Sequence, residues 1–197
     1  MAPDLPTTSA GKLTSVTSKN NVKLDANSTS SLFLTTGTGG GAGVASIGAS
    51  VNVISIDKTV ESVIDNSTVK TATIKTNAQA SDTFDTIAAA GNGAGTIAAN
   101  GLVFVNTITS KVKSGAKNNS KLKANNINIT SSTTPKYLQV TGQAAGAGLG
   151  GIGASVIVNN INYEVQSFVE NSDVKNTDGI SAYNEMKVSA EANNQYN

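Results

Sequence analysis

Apolar and polar residues alternate along several stretches of this chain. In residues 47–53, IGASVNV, apolar side chains stand at every second position, and residues 152–158, IGASVIV, repeat the pattern. A period of two predicts β-strands, whereas a period near 3.6 would predict helices. Shorter runs at 60–64, 68–70 and 74–76 are rich in Val, Ile and Thr and lie between turn-forming residues. No window has the pattern of an amphipathic helix, so the chain is predicted to be all-β.

The alternating stretch belongs to an internal repeat. Residues 37–56, GTGGGAGVASIGASVNVISI, return at 142–161 as GQAAGAGLGGIGASVIVNNI, an offset of 105. A looser copy lies between them, at an offset of 52 that becomes 53 after one inserted residue. Periods of this length are typical of solenoids, propellers and arrays. The small, Gly-rich strands favour a solenoid, in which stacked coils lie about 4.8 Å apart.

The repeat predicts one β-solenoid domain over residues 12–197, preceded by a flexible leader or cloning remnant at 1–11. A partial unit at 12–30 precedes three units at about 31–81, 82–134 and 135–197. A solenoid coil of three short strands normally takes about 20–25 residues. We therefore expect two coils in each unit, and six or seven coils would form a rod about 30 Å long.

The charged residues exclude some partners. The chain has 14 basic residues, all of them Lys, against 13 acidic ones. Without Arg it lacks the bidentate phosphate contacts that nucleic-acid-binding proteins favour, so no nucleic acid partner is predicted. A Lys cluster within 111–123 is interpreted as a solvated flank. No run approaches 18 apolar residues, so no transmembrane segment is predicted.

The composition also limits the chemistry. There is no His and no Cys, which excludes histidine-based triads, cysteine nucleophiles and the usual zinc sites. The Gly-rich runs lack the Gly-Lys-Ser/Thr of a phosphate-binding loop, and no calcium-binding loop is present. Three carboxylate pairs remain, interpreted as solvating residues beside turns: Asp57 with Glu61, Asp82 with Asp85, and Glu164 with Glu170. We predict no catalytic residue, no cofactor and no metal.

Two features lie at particular places in the repeat. Asn66, Asn118 and Asn171 occupy equivalent positions, which predicts a stacked corner because Asn tolerates left-handed backbone. The third unit carries about seven extra residues, and insertions in solenoids form loops on one face. We consider this insertion a possible binding loop; its residues are Asp178, Gly179, Ile180, Ser181, Ala182, Tyr183 and Asn184.

The repeat resembles a known family of bacterial surface proteins. The matching residues are 41–70 with 74–80, and 146–175 with 186–192, whereas the middle copy is looser. They resemble repeats in the β-helical passengers of filamentous-haemagglutinin-like, two-partner-secreted exoproteins and related autotransporter adhesins of Gram-negative bacteria, including fusobacteria. The resemblance implies a right-handed parallel β-helix that forms part of a long stalk outside the cell or at its outer membrane.

The expected function is therefore structural. A non-enzymatic stalk segment would project a distal adhesive region, so that a host or bacterial receptor or glycan binds other parts of the parent protein. An extracellular filament or sheath subunit, assembled through its exposed end coils by β-augmentation, is the first alternative. A polysaccharide-active β-helix enzyme is the second. A trimeric β-prism of three chains also stays open as an architecture.

Overall fold

The computed structural model describes residues 14–177 and 185–196. Every regular element in these residues is a β-strand. The strands are β1 Thr14–Thr17, β2 Asn21–Ala42, β3 Ala45–Asp65, β4 Ser67–Lys70, β5 Thr73–Ala94, β6 Ile97–Lys117, β7 Lys121–Lys123, β8 Asn126–Ala147, β9 Gly150–Val169, β10 Asp173–Lys175, β11 Glu185–Ala192 and β12 Gln195–Tyr196.

The strands form three parallel sheets. Sheet A contains the short strands in the order β1-β4-β7-β10. Sheet B contains the long strands β2-β5-β8, followed by β11, and β12 also pairs with β8. Sheet C contains the other long strands, β3-β6-β9. Each strand pairs with its equivalent in the next repeat, so the chain is a parallel β-helix formed within one molecule, as the repeat predicted.

Each repeat forms one coil, and the expectation of two coils per unit is wrong. In sheet B, Asn21 pairs with Thr73, which pairs with Asn126, so neighbouring strands are separated by one whole repeat. The reason is strand length, because each coil has two strands of 20–22 residues. Such strands are about 70 Å long, while three complete coils and part of a fourth stack to only about 15–20 Å. The molecule is therefore a broad slab and not the predicted narrow rod.

The corner between sheets C and A has left-handed Asn residues at the three equivalent positions, as the sequence predicted. Asn66, Asn118 and Asn171 all have positive φ angles, between 43° and 57°. The middle coil has one extra residue at this corner, Asn119, also left-handed with φ 60°. This residue accounts for the change of offset, because Asp65 pairs with Lys117 before the corner and Thr68 pairs with Lys121 after it, which is one position further along.

The turn between sheets B and C is two residues long in every coil. These turns are Gly43-Val44, Gly95-Thr96 and Gly148-Leu149. They stack directly, since the Thr96 amide donates a hydrogen bond to the Val44 carbonyl at 3.0 Å and the Leu149 amide donates to Thr96 at 3.1 Å. A Cβ on Gly95 would overlap the Gly43 carbonyl oxygen, and one on Gly148 would overlap that of Gly95. Close packing of coils thus requires glycine at positions 95 and 148.

The main apolar core lies where all three sheets meet. It is formed by Ile64, Val69, Ile74, Ala116, Leu122, Ala124, Ile127 and Ile129, each at most 4% exposed. Buried hydrogen bonds join sheets B and C beside it. The Ser114 hydroxyl lies 2.8 Å from the Thr76 hydroxyl, and Ser62 donates to the Leu24 carbonyl at 2.9 Å. We call the end of the coil that contains this core the base, and the opposite end, with the two-residue turn, the tip.

Candidate functional site

Sheet C has an apolar outer face near the tip. The side chains at every second position point away from the interior, and all twelve of them in the three coils are apolar or glycine. We call this set the apolar ridge: Ile47, Ala49, Val51, Val53, Ala99, Gly101, Val103, Val105, Ile152, Ala154, Val156 and Val158. Ile47 is 86% exposed, Ile152 is 72% exposed and Val51 is 67% exposed.

In this segment the apolar side of the alternating pattern faces outward, which is the reverse of the usual orientation. In a half-buried strand the apolar side normally faces inward. In the first coil the inward positions of this segment instead hold the small or polar residues Gly48, Ser50 and Asn52, whereas the middle and third coils place Phe104 and Ile157 at the position equivalent to Asn52. In this part of the interior the space between the sheets is occupied by the Asn92 side chain. A Cβ on Gly48 would lie 2.6 Å from the amide nitrogen of Asn92 on the opposite sheet.

Sheet B has a different outer face over the same part of the coil. All nine outward positions there are Gly or Ala, which leaves a flat, nearly bare backbone surface. We call this set the small-residue strip: Gly37, Gly39, Gly41, Ala89, Gly91, Gly93, Gly142, Ala144 and Gly146. A Cβ built on Gly91, Gly142 or Gly146 meets nothing within 4 Å, so this surface is open.

The ridge and the strip lie back to back across the tip. Side-chain hydrogen bonds through the interior fix this relation. The Asn52 amide donates to the Thr36 hydroxyl at 3.1 Å, and the Asn92 amide donates to the Ala99 carbonyl at 2.9 Å. The strip therefore lies opposite the first three rows of the ridge, and the fourth row, at Val53, lies opposite Thr35. The two outer surfaces differ in relief, one raised by branched side chains and the other flat.

Charge is absent from this half of the coil. The three repeats contain no charged residue in 26–56, 86–110 and 137–163. Charged side chains reappear towards the base, where Lys113 pairs with Glu164 at 3.0 Å and Lys117 with Asp65 at 3.6 Å. Part of the predicted Lys cluster is thus placed in ion pairs between neighbouring strands. Each coil is divided into an uncharged tip and a charged base.

A cavity of about 250 Å³ lies between the sheets, midway along the coil. Phe84 and Tyr137 stack in its wall with ring centroids 5.3 Å apart, and the Tyr137 hydroxyl contacts that of Tyr163. The Asn106 amide donates to the Asn159 side-chain oxygen at 2.7 Å, and the Asn159 amide donates to Gln139 at 3.1 Å. The Asn106–Asn159 bond joins neighbouring coils, whereas the Tyr137–Tyr163 and Asn159–Gln139 contacts join the two sheets of the third coil. These contacts hold the structure together around the cavity.

The carboxylate pairs do not converge. Asp82 points inward and is 1% exposed, where it forms an ion pair with Lys58, whereas Asp85 lies on the outer face of the same strand. Asp57 and Glu61 both point outward but are four residues apart on one strand, about 13 Å. Glu164 is held by Lys113. Among the described residues no group of three His, Cys, Asp or Glu side chains is placed to hold a metal ion.

The predicted binding loop, 178–184, lies outside the described residues, as does the leader at 1–11. Along the chain, this loop lies between β10 and β11. Lys175 pairs with Lys123 and Glu185 pairs with Asn126, so the third coil has seven more residues at this corner than the second. Across the described part of the chain, no helix has the length and apolar character needed to cross a membrane.

Sequence reasoning identified the alternating stretch but not its outward orientation. Two signals were available. Each alternating stretch lies in a run without charged residues, and in the first repeat the positions between the apolar residues hold Gly48, Ser50 and Asn52.

Fold and surface together define a parallel β-helical repeat protein with broad, uncharged outer faces at one end of each coil. Comparisons with models of protein families, with curated proteins and with solved structures find no match to this chain.

Proposed function

We propose that this chain is a non-enzymatic structural segment of a secreted or surface-displayed bacterial exoprotein of the adhesin type. The observation that carries the proposal is the register, in which each repeat adds one complete coil in parallel to the last. Repeats of this kind extend a stack by identical steps, and stability accumulates from the contacts between neighbours. The resemblance of residues 41–70 and 146–175 to exoprotein repeats supports the same conclusion.

The dimensions refine the role as a stalk. One whole repeat adds about 4.8 Å of height, whereas a compact coil adds the same height with about 20–25 residues. The stack therefore gains little height for each residue, and the additional residues form two faces about 70 Å wide. Such a segment is better suited to presenting a wide, stiff surface than to placing a distal domain far from the cell.

The location of the carboxylates supports a role without catalysis. The one deeply buried carboxylate among the described residues, Asp82, is neutralised by Lys58, and the outward Asp57 and Glu61 are about 13 Å apart along β3. A glycan-cleaving enzyme needs two carboxyl groups about 5–10 Å apart around the substrate bond. Incubation with anionic and neutral polysaccharides should leave their viscosity unchanged. A fall in viscosity that is lost in Asp85→Asn or Glu61→Gln would establish an enzyme instead.

Surface display is tested on cells. Antibodies raised against the purified chain should label intact cells of the source bacterium or its culture fluid, and mild protease treatment of intact cells should remove the label. Labelling only after lysis would overturn the proposed localisation. A cytoplasmic marker protein, detected in the same samples, shows whether the cells stayed intact.

An end-to-end filament is the alternative, favoured by the free edges of sheet C. In the described residues β3 and β9 each pair only with β6, so each has one unpaired backbone edge. Another coil added at such an edge would continue the ladder by β-augmentation. Electron microscopy of concentrated protein should then show filaments whose axis is parallel to the coil stack and whose width is about 70 Å.

A further inference from the structure

We propose that copies of this chain associate side by side, with the apolar ridge of one copy packed on the small-residue strip of the next. This inference concerns the outer faces of the slab. It is independent of any contact through the end coils and of the localisation proposed above.

The two faces are complementary in relief and in polarity. The ridge presents the branched side chains of Val51, Val103 and Val156 in one row and those of Val53, Val105 and Val158 in the next. The strip presents only hydrogen or methyl groups. Branched side chains pack closely against a sheet surface that lacks side chains of its own, as in the dry interfaces of stacked sheets. Neither face carries a charge that would have to be desolvated.

Both faces belong to parallel sheets, which are normally covered on both sides. Here the inner side is covered by the facing sheet and the outer side is not. Because three of the four ridge positions in each coil lie back to back with the strip, a translation perpendicular to the sheets by two sheet spacings, about 20 Å, brings these positions of one copy onto the strip of another. The same translation brings the Val53 row onto the row of Thr35, Ile87 and Val140 beside the strip. The contact is heterologous, so it leaves a free ridge and a free strip and continues into an open stack.

The size of the contact sets its strength. The strip limits the contact to three outward positions along three strands, about 20 Å by about 14 Å, or roughly 280 Å² for each partner. This is about a third of the roughly 800 Å² for each partner in a stable interface. Association of this three-coil chain is therefore weak and dependent on concentration. Each further coil of the same type enlarges the contact.

Sedimentation velocity from low micromolar to millimolar concentration tests the proposal with matched variants in the middle coil. Val103→Lys places a charge on the ridge and Ala89→Lys places one on the strip. Thr109→Lys and Gln79→Lys are the controls, since both residues lie on the outer faces of sheets C and B but outside the ridge and the strip. Circular dichroism confirms folding of each variant, and Val103→Thr replaces Val103→Lys if the latter is unfolded.

We expect the unchanged chain and both controls to associate, and each face variant to associate at least tenfold more weakly. A mixture of Val103→Lys with Ala89→Lys should restore one-to-one dimers, because each variant retains the face that the other lacks. These results support ridge-on-strip packing.

Other outcomes overturn it. A chain that stays monomeric at the highest concentration shows that the faces do not pair. Loss of association in Val103→Lys but not in Ala89→Lys indicates symmetric ridge-to-ridge packing. Association unchanged in both variants indicates contacts through the end coils. Monomers that float with phosphatidylcholine vesicles in a density gradient, with flotation lost in Val103→Lys, identify lipid as the occupant of the ridge.

Discussion

Lys58 and Asp82 form an ion pair inside the solenoid, across two coils and two sheets. Lys58 lies on the inner face of β3 in the first coil and Asp82 on the inner face of β5 in the second. Their side chains are 14% and 1% exposed. The pair therefore links sheet C of one repeat to sheet B of the next.

Removal of the carboxylate should destabilise the chain. Asp82→Ala leaves the Lys58 ammonium without its partner in a largely buried place, which typically costs about 3–5 kcal/mol, and the partial exposure of Lys58 reduces this to about 2–4 kcal/mol. Urea unfolding measures the change. The double variant Lys58→Met/Asp82→Leu should recover most of the loss, because no charge is then left buried. Asp85→Asn, on the outer face of the same strand, is the control, expected to change stability by less than about 0.5 kcal/mol. An Asp82→Ala loss as small as that of the control would contradict the buried pair.

The glycine column at the tip gives a second prediction. Gly95→Ala places a methyl group against the Gly43 carbonyl oxygen, so the coils must separate locally. We expect a loss of about 1–3 kcal/mol in the free energy of unfolding, as for other overpacked sites. Gly150→Ala, two residues after the next turn glycine, meets nothing within 4 Å and should be neutral or slightly stabilising. Equal effects of the two substitutions would show that the turns do not stack as described.

The Asn corner between sheets C and A gives a third prediction. Asn171 has φ 44°, a conformation that costs most other residues about 1–2 kcal/mol. Asn171→Ala should therefore lower the free energy of unfolding by about 1 kcal/mol, whereas Asn171→Gly should lower it by less, since glycine adopts positive φ freely. Thermal unfolding of the two variants, compared in one buffer, measures the difference. A glycine variant that is the less stable of the two would contradict the backbone conformation.

Sequence reasoning predicted the parts of the fold that depend on local chemistry. Repetition gave the solenoid, alternation gave the strands, and the equivalence of Asn66, Asn118 and Asn171 gave the left-handed corner. It did not predict the number of coils, because it assumed a coil of three short strands and about 20–25 residues. In the structure the strands are much longer, and the ladder from β2 to β5 runs unbroken from Asn21 to Ala42.

The orientation of the apolar ridge was beyond prediction for a different reason. A period of two says that two faces differ but not which one is inside. That choice depends on what fills the space between the sheets. At the tip of the first coil this space is occupied by the Asn92 side chain, and a Cβ on Gly40 or Gly48 would come within 3.0 Å of it. The apolar side is therefore directed outward by a constraint between distant segments of the chain.

The orientation itself is testable with two substitutions on equivalent strands of sheet C. Phe104 points inward and is 1% exposed, whereas Val53 belongs to the ridge and is 69% exposed. Phe104→Ala should cost about 3–5 kcal/mol through the lost burial and the cavity left behind. Val53→Ala removes a side chain that faces solvent in the monomer and should cost less than about 0.5 kcal/mol. A shift of pairing by one residue would exchange the two faces, so the reverse order of effects, measured by urea unfolding of dilute protein, would show that the ridge points inward.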